Sequence, residues 1–514
     1  MVSTLTCDQT DAVNELAPTR SHRVDRLVFL LAAWLIFRTL LWAFVTQLTF
    51  SNPPLDTIEL LSWGRDWQWG YAKHPPLPAW LADAGWRVFG GNLFGVYFIG
   101  YALIAVAVWS VWRLARLVVP RRDALLAAFC MEGVLFYTYW GQRLNHNIAL
   151  TAFWSLTTLF TYKAVREGRL GDWIATGVCA SLGLLSKYTM VFLLLPLLFW
   201  MLMESRAARV WRRPGPYVAA LVMLLIVTPH LVWAAREGWP TLAYGRERTL
   251  SAPAHSYPRI VEPALFMVYQ VMAVLPLVCV MIWGARLKTK ALSGERRSAA
   301  QFLVVVVGGP LALHLALGLV LGLQLHGPWG TPFWANLGLL LIVLFPLRPQ
   351  PWIRRRMIIG LVACNLAALL FLTGQTVLWP MMWNEPFRTQ FPGKILAKEA
   401  DFRWHARFAE PLPAVAGNRL LAGTVGIHAS GRPRVYFSAD PDESASCYQF
   451  SAQRDLEKMT GHGGILVWDA TRDGAAVPPL LAELFPTAER LEVIHINGNT
   501  VGFALLPPEG ASGR

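Results

Sequence analysis

The sequence contains few charged residues and few cysteines. Only 15% of its 514 residues are Asp, Glu, Lys or Arg, while 55% are hydrophobic and the mean hydropathy is +0.40. A soluble chain carries roughly 25% charged residues, so this balance excludes an ordinary soluble protein and favours several membrane spans. The six cysteines form no CxxC pair and show no zinc-like spacing. The sequence therefore predicts neither a disulfide framework nor a metal site.

The formal net charge of +14 does not indicate nucleic-acid binding. From residue 380 onward, 15 acidic residues nearly balance 13 basic ones. The excess of basic residues lies before this point, in short clusters beside the apolar runs. Such placement is typical of the positive-inside rule, by which cytoplasmic loops carry Lys and Arg. We therefore expect a lipid bilayer, and no nucleic acid, as a partner.

Eleven apolar runs predict about eleven transmembrane helices. Their predicted bounds are 27–48, 92–112, 124–139, 148–162, 172–185, 188–203, 217–235, 263–283, 301–323, 333–347 and 357–374. Arginines before the first run place the N-terminus in the cytoplasm, and every alternate loop that follows is then basic. This topology predicts that residues 49–91 and everything after residue 379 lie outside. The predicted regions are a cytoplasmic tail (1–26), a membrane domain (27–379) and an external domain (380–514).

The external C-terminal region has a different pattern. Residues 434–437, 465–468, 491–496 and 500–506 are short apolar segments typical of strands, and 479–484 predicts a short helix. Asn497 and Gly498 are a hairpin turn signal between the last two strands. These features predict a small α/β or α+β domain on the periplasmic side.

The first external loop, residues 55–80, is too polar to cross a bilayer. Asp56 and Glu59 are three positions apart, so they share a face if the segment is helical. Lys73 and His74 come directly before two prolines, which restrict the direction in which these side chains point. Acids beside potential cations and a rigid turn favour an anionic substrate with a hydroxyl group to deprotonate.

Each of these patterns also has a structural interpretation. The acids and tryptophans of the loop are equally typical of a hydrated interfacial helix with an aromatic belt. Lys187 fits an interfacial lysine, and residues 143–147 fit a solvated turn. Glu132, inside a predicted span, is either functional or held by a nearby Tyr or Arg. His314 in its apolar run fits a packing residue.

The first loop resembles a known family. The matching residues are Asp56, Trp63, Trp69-Gly70-Tyr71, His74-Pro75-Pro76-Leu77 and Trp80. The loop looks like that of bacterial members of the protein O-mannosyltransferase-like group (glycosyltransferase family 39), GT-C fold enzymes that include the lipid A aminoarabinose transferases. The resemblance implies a GT-C fold, an inner-membrane location and transfer of a sugar from a polyprenyl-phosphate donor on the periplasmic side. It places Asp56, 18 residues before His74, on the family's catalytic aspartate.

The sequence departs from the family pattern at two positions. The family's Glu after the catalytic aspartate is Thr57 here, so Glu59 is a candidate to take over its role. The family's acid in the second external loop is Asn147 here, and an amide cannot serve as a base. The resemblance therefore leaves Asp56 as the main carboxylate.

The resemblance gives each candidate residue a role. Asp56 and Glu59 are the predicted catalytic residues, with Asp56 as the general base. The predicted contacts to the lipid phosphate or sugar are Lys73, His74, Arg143, Asn147 and Lys187. The mechanism requires neither a metal nor a cofactor. The expected partners are the sugar donor and an envelope acceptor, which is a glycolipid, a polysaccharide or a protein. A polyprenyl-lipid flippase and a non-catalytic envelope scaffold remain as alternatives.

Overall fold

A computed structural model describes most of the chain. The described residues are 20–204, 207–250, 259–284, 294–347, 350–383, 387–437 and 458–510. Most of the predicted N-terminal tail, the basic loop at 285–293, Cys7 and Cys447 lie outside these ranges.

The N-terminal three quarters of the described chain is helical. Its helices are α1 (Arg20–Thr49), α2 (Leu55–Gly64), α3 (Leu77–Val88), α4 (Leu93–Val118), α5 (Arg121–Phe129), α6 (His146–Glu167), α7 (Leu170–Ser186), α8 (Val191–Met203), α9 (Ala207–Trp211), α10 (Gly215–Arg236), α11 (Pro240–Leu250), α12 (Val261–Gly284), α13 (Gly294–Leu321), α14 (Leu337–Leu344) and α15 (Pro351–Trp383). The prediction of a multispan helical membrane protein is confirmed.

Six described helices are long and apolar enough to cross a membrane, or up to eight if two bent pairs each count as one span. One bent pair, Arg121–Gly133 with Leu135–Gln142, turns through 83° inside the predicted span 124–139. The other, Gly327–Trp334 with Leu337–Leu344, turns through 52°, and Pro332 inside its first helix lacks the N–H group for a regular hydrogen bond. The exact number of eleven spans stays a prediction.

Small residues let neighbouring elements approach closely. A Cβ atom on Gly177 of α7 would lie 2.5 Å from the Ala219 carbonyl oxygen of α10. A Cβ atom on Gly64 of α2 would lie 2.3 Å from the Ala79 carbonyl oxygen of α3. Such contacts are typical of helix packing in membranes, where apolar side chains gain little by leaving lipid. The second contact packs the two helices of the first loop, α2 and α3, against each other.

The C-terminal domain is a mixed sheet with helices. Its elements are α16 (Gly393–His405), β1 (Ala414–Gly417), α17 (Arg419–His428), β2 (Arg434–Phe437), β3 (Gly464–Asp469), α18 (Ala470–Asp473), α19 (Pro479–Leu484), β4 (Glu489–Arg490), β5 (Ile494–Ile496) and β6 (Asn499–Leu506). The strand order is β2-β1-β3-β6-β4, and β5 also pairs with β6. Strand β1 is parallel to both its neighbours, whereas β6 is antiparallel to β3.

The predicted hairpin is present in this domain. Asn497 and Gly498 have φ angles of 46° and 77°, the left-handed conformation that a two-residue turn requires. The strand before the turn is shorter than the predicted 491–496, because regular pairing begins only at Ile494. The sequence patterns did not identify β1, α16 or α17, whose short apolar stretches carry no clear period.

The C-terminal domain contacts the first loop directly. Arg432 Nη1 lies 2.6 Å from an Asp83 carboxylate oxygen of α3, and Arg432 Nη2 donates to the Leu61 carbonyl oxygen of α2 at 2.7 Å. Asn52 Nδ2 donates to Thr424 Oγ1 of α17 at 3.0 Å. Helix α17 also lies against α2, the helix that carries both predicted catalytic acids, since a Cβ atom on Gly423 of α17 would lie 2.2 Å from Ile58 Cγ2 of α2.

Glu132 is part of a buried polar cluster inside the membrane domain. Arg38 Nε of α1 lies 2.9 Å from its carboxylate, and Trp34 Nε1 donates to it at 3.0 Å. Asn365 of α15 also donates to it. Both Arg38 and Glu132 are buried. These contacts favour the structural interpretation of Glu132.

We expect the Arg38→Met substitution to destabilise the protein by about 3–5 kcal/mol, because it leaves a buried carboxylate without its cation. The midpoint of thermal unfolding in detergent measures the effect. The double variant Arg38→Met/Glu132→Met is the matched control, and we expect it to recover most of the loss. A single variant as stable as the wild type would contradict this interpretation.

Candidate active site

A cavity of about 450 Å³ lies between the membrane helices and the first loop, residues 49–91. Its lining includes six of the seven predicted site residues, namely Asp56, Glu59, Lys73, His74, Asn147 and Lys187. Arg143 is exposed and is not part of the lining, although its charge acts on Asp56. The structure therefore brings together residues that are up to 131 positions apart, from Asp56 to Lys187.

The first loop positions its polar residues with two short elements. Helix α2 begins after Pro54 and carries Asp56 in its first turn, where the positive end of the helix dipole favours a carboxylate. Tyr71 and His74 exchange backbone hydrogen bonds in a tight turn, and the two prolines then lead into α3. This turn directs Lys73 and His74 into the cavity.

Glu59 is held in a buried ion-pair cluster. Its Oε1 atom accepts from Lys73 Nζ at 2.7 Å and from Arg419 Nη1 at 3.0 Å. The Glu59 and Lys73 side chains are 6% and 3% exposed, so nearly all of this network is shielded from solvent. A carboxylate with two basic partners is poorly placed to accept a proton. The geometry favours a positioning role for Glu59 over a catalytic one.

Asp56 faces the open cavity. Asn145 Nδ2 contacts its Oδ2 atom at 3.4 Å, a long hydrogen bond. Desolvation by the surrounding protein is the main effect that raises the pKa of Asp56 above its ordinary value, and the negative charge of Glu59 adds to it. The positive charges of Arg143 and Arg419 oppose this shift. Because its pKa is raised and its carboxylate is accessible, Asp56 is better suited to take a proton than Glu59.

His74 and His146 form a closely packed pair at the wall of the cavity, with their rings tilted by 35°. Their ring centroids are 3.7 Å apart. Burial is the main effect that lowers the pKa of both imidazoles well below the ordinary value, and the charges of neighbouring basic groups lower it further. His74 is therefore neutral at pH 7, and it offers a hydrogen bond where the sequence suggested a cation.

Lys187 lies at the break between α7 and α8. Its Nζ atom donates to Asn147 Oδ1 at 2.8 Å and lies 5.2 Å from the centroid of the Trp329 ring. Burial lowers the pKa of Lys187 to about 7, while Asp56 opposes the shift. The amide at position 147 thus orients the lysine without neutralising it. An anion bound next to Lys187 would stabilise its protonated form.

Several residues that line the cavity were not among the predicted site residues. They are Tyr244, Arg248, His314, His326 and Arg419. Arg419 lies 360 positions from Glu59, and no local motif indicates that they meet. His314 does pack against Phe192 and Phe266, as expected, but it also faces the cavity.

No group of three or more His, Cys, Asp or Glu side chains in the described ranges could hold a metal ion. The expected absence of a metal stays a prediction.

Comparisons with known proteins found a matching family model and related glycosyltransferase sequences. Residues 73–233 match a family model described as dolichyl-phosphate-mannose-protein mannosyltransferase. Lipopolysaccharide core galacturonosyltransferase RgtB of Rhizobium johnstonii is 24% identical over 443 residues, which cover 81% of this chain and 83% of that protein. Undecaprenyl phosphate-alpha-4-amino-4-deoxy-L-arabinose arabinosyl transferase 1 of Pseudomonas fluorescens is 30% identical over 179 residues, covering 32% of this chain. The match spans only 29% of that transferase's own length.

The structure is similar to that of ArnT from Cupriavidus metallidurans bound to undecaprenyl phosphate. The TM-score is 0.66 at 14% sequence identity, and the match covers 94% of this chain and 99% of ArnT. The apo form of the same protein gives a TM-score of 0.63. The chain has the GT-C fold. The GT-C fold that the resemblance implies is therefore confirmed, and the cavity lies within this fold.

We expect Glu59→Gln to destabilise the GT-C domain by about 3 kcal/mol, because it removes the buried charge that Lys73 and Arg419 share. Thermal unfolding in detergent measures the change. Glu399→Gln is the matched control, since Glu399 pairs with Arg403 on a partly exposed helix face and contributes about 1 kcal/mol or less. Equal effects of the two substitutions would contradict the buried cluster.

Proposed function

We propose that this protein is a membrane glycosyltransferase that moves a sugar from a polyprenyl-phosphate donor to an envelope acceptor. The observation that carries the proposal is that two side chains with complementary chemistry line one cavity of the GT-C fold. An accessible carboxylate, Asp56, and a buried lysine that is poised to bind an anion, Lys187, both line it. The names of the relatives describe transferases that act on such donors or on lipopolysaccharide.

The chemistry follows from these groups. The acceptor hydroxyl oxygen attacks the anomeric carbon of the sugar while Asp56 takes its proton. The bond between the anomeric carbon and the phosphate oxygen breaks, and polyprenyl phosphate leaves with the bonding electrons. A nearby cation stabilises the negative charge that develops on this oxygen.

We assign the phosphate contact mainly to Lys187. Lys73 shares Glu59 with Arg419, so less of its charge is available to a ligand. His74, which is neutral, is placed to donate a hydrogen bond from the same wall. Asn147 orients Lys187, and Arg143 acts on the site only through its charge.

The proposed function implies an orientation in the membrane. The protein is a multispan membrane protein, and we place it in the bacterial inner membrane with its N-terminus in the cytoplasm. The cavity and the C-terminal domain (380–514) then face the periplasm, where the donor and acceptor meet. In this arrangement the C-terminal domain closes the cavity, because it supplies Arg419.

A flippase of similar topology would move the lipid-linked sugar without consuming it, and a scaffold would not use the cavity at all. The named relatives are transferases, which favours transfer over both alternatives. An assay with a labelled donor separates the three, because only a transferase releases polyprenyl phosphate.

We expect Asp56→Asn to lower kcat by about 10²–10⁴-fold, because the amide cannot accept the proton of the acceptor. Release of polyprenyl phosphate from a labelled donor measures the rate. Asp66→Asn is the matched control, since Asp66 lies in the same loop but is exposed and does not line the cavity. Full activity of Asp56→Asn would exclude Asp56 as the base.

We expect donor affinity to fall as the pH rises above about 7, by up to about tenfold per pH unit. Lys187 loses its proton in the free protein in this range, because burial lowers its pKa to about 7, whereas a phosphodiester keeps its charge. The dissociation constant, measured from about pH 6 to pH 9, tests this.

Lys187→Arg should flatten the pH profile, because a guanidinium stays charged. Lys187→Met should also flatten it and weaken binding at every pH. Lys394→Arg is the control, because Lys394 is an exposed lysine of the C-terminal domain. An unchanged slope in both Lys187 variants would show that another group titrates.

A further inference from the structure

His314 is a polar side chain that the proposed mechanism does not use. It lies on α13, is 2% exposed and lines the cavity. Within the described part of the chain, neither of its ring nitrogens has a hydrogen-bond partner. An unpaired buried polar atom costs free energy, so a ligand that supplies the missing hydrogen bond would gain affinity there.

Two further rings extend the same wall. The His326 ring centroid lies 4.8 Å from that of Trp329, and the His314 centroid lies 5.8 Å from it. The Nε2 atom of His326 is buried and has no hydrogen-bond partner in the described ranges. The ring forms a hydrogen bond with the backbone of Arg248. An indole beside two imidazoles offers a flat apolar face together with polar atoms.

This combination matches the chemistry of a sugar ring. A sugar has hydroxyl groups around its edge and patches of C–H groups on its faces, so it can stack on an indole while it hydrogen-bonds to both imidazoles. Lys187 contacts Trp329 from the side of Asn147, so a phosphate bound by Lys187 would lie next to this wall.

We propose that His314, His326 and Trp329 form the subsite for the glycosyl group of the donor, and that this subsite takes a neutral or acidic sugar and discriminates against a cationic amino sugar. The proposal rests on the proposed function, since it assumes that a sugar linked to a lipid phosphate enters this cavity.

The charge of the cavity supports the discrimination. Four basic side chains line it, Lys73, Lys187, Arg248 and Arg419, against two acids, Asp56 and Glu59. Burial lowers the pKa of His326 to about 4, so it adds no charge at pH 7. A donor phosphodiester contributes one negative charge, which leaves an excess of positive charge when Lys187 is protonated. A further ammonium group on the sugar would be repelled.

The first experiment compares two probes on the full-length protein in detergent, a polyprenyl-phosphate hexose and polyprenyl phosphate without a sugar. His314→Phe keeps an aromatic ring among Phe192 and Phe266 but removes both ring nitrogens. We expect it to weaken binding of the hexose donor about tenfold, the effect of a lost hydrogen bond or two. Binding of the bare lipid phosphate should not change.

The bare lipid phosphate also reports whether the variant is folded. His314→Asn keeps polar atoms at this position, and we expect it to lose less donor affinity than His314→Phe. Equal losses for both probes, or no loss for the hexose donor, would overturn the subsite. If donor binding depends on His314 but no sugar is transferred, the subsite proposal is supported and the proposed transferase activity is excluded.

The second experiment tests the charge preference with donors that share one hexose skeleton. We expect the hexose and hexuronic acid donors to bind at least tenfold more tightly than the corresponding amino-hexose donor at about pH 7. Arg248→Glu removes one positive charge and adds a negative one at an exposed position of the lining. We expect Arg248→Glu to reduce the difference in affinity between the amino-hexose donor and the other two donors. An amino-sugar donor that binds as tightly as the others to the wild type would overturn the discrimination.

Discussion

The buried ion pairs of Glu59 with Lys73 and Arg419 connect the three parts of the site. Glu59 belongs to the first loop helix, Lys73 to the turn before the prolines, and Arg419 to the C-terminal domain. Removing one charge from such a shielded cluster leaves the others uncompensated, so its members depend on one another. The position of Asp56, one turn before Glu59 on α2, follows from this cluster.

Asp56 and Glu59, the two acids of α2, have different surroundings and different roles. Glu59 is enclosed by cations and holds the loop, while Asp56 remains accessible with a raised pKa. Two carboxylates on one helix face thus acquire different properties from their surroundings alone. The same principle explains Lys187, whose burial lowers its pKa, and Asn147, which orients the lysine without adding a negative charge.

Much of the fold was predictable because a bilayer imposes strong rules on sequence. Long apolar runs and basic loops predicted a multispan helical protein, and alternating segments with an Asn-Gly turn predicted the C-terminal sheet. The predictions were poorest where helices are short or bent. The run at 124–139 predicts one straight span, whereas the structure has two helical pieces there, Arg121–Gly133 and Leu135–Gln142, at an angle of 83°.

The sequence by itself determined the membrane architecture and the polar first loop, because hydropathy is a local property, and the resemblance of that loop to a known family made Asp56 the candidate base. Only the tertiary structure decided that Glu59 is enclosed, that His74 is neutral and that His314 faces a cavity. These properties depend on burial and on partners distant in the chain. Arg419 is the clearest case, because it reaches Glu59 across 360 positions through the docking of a separate domain.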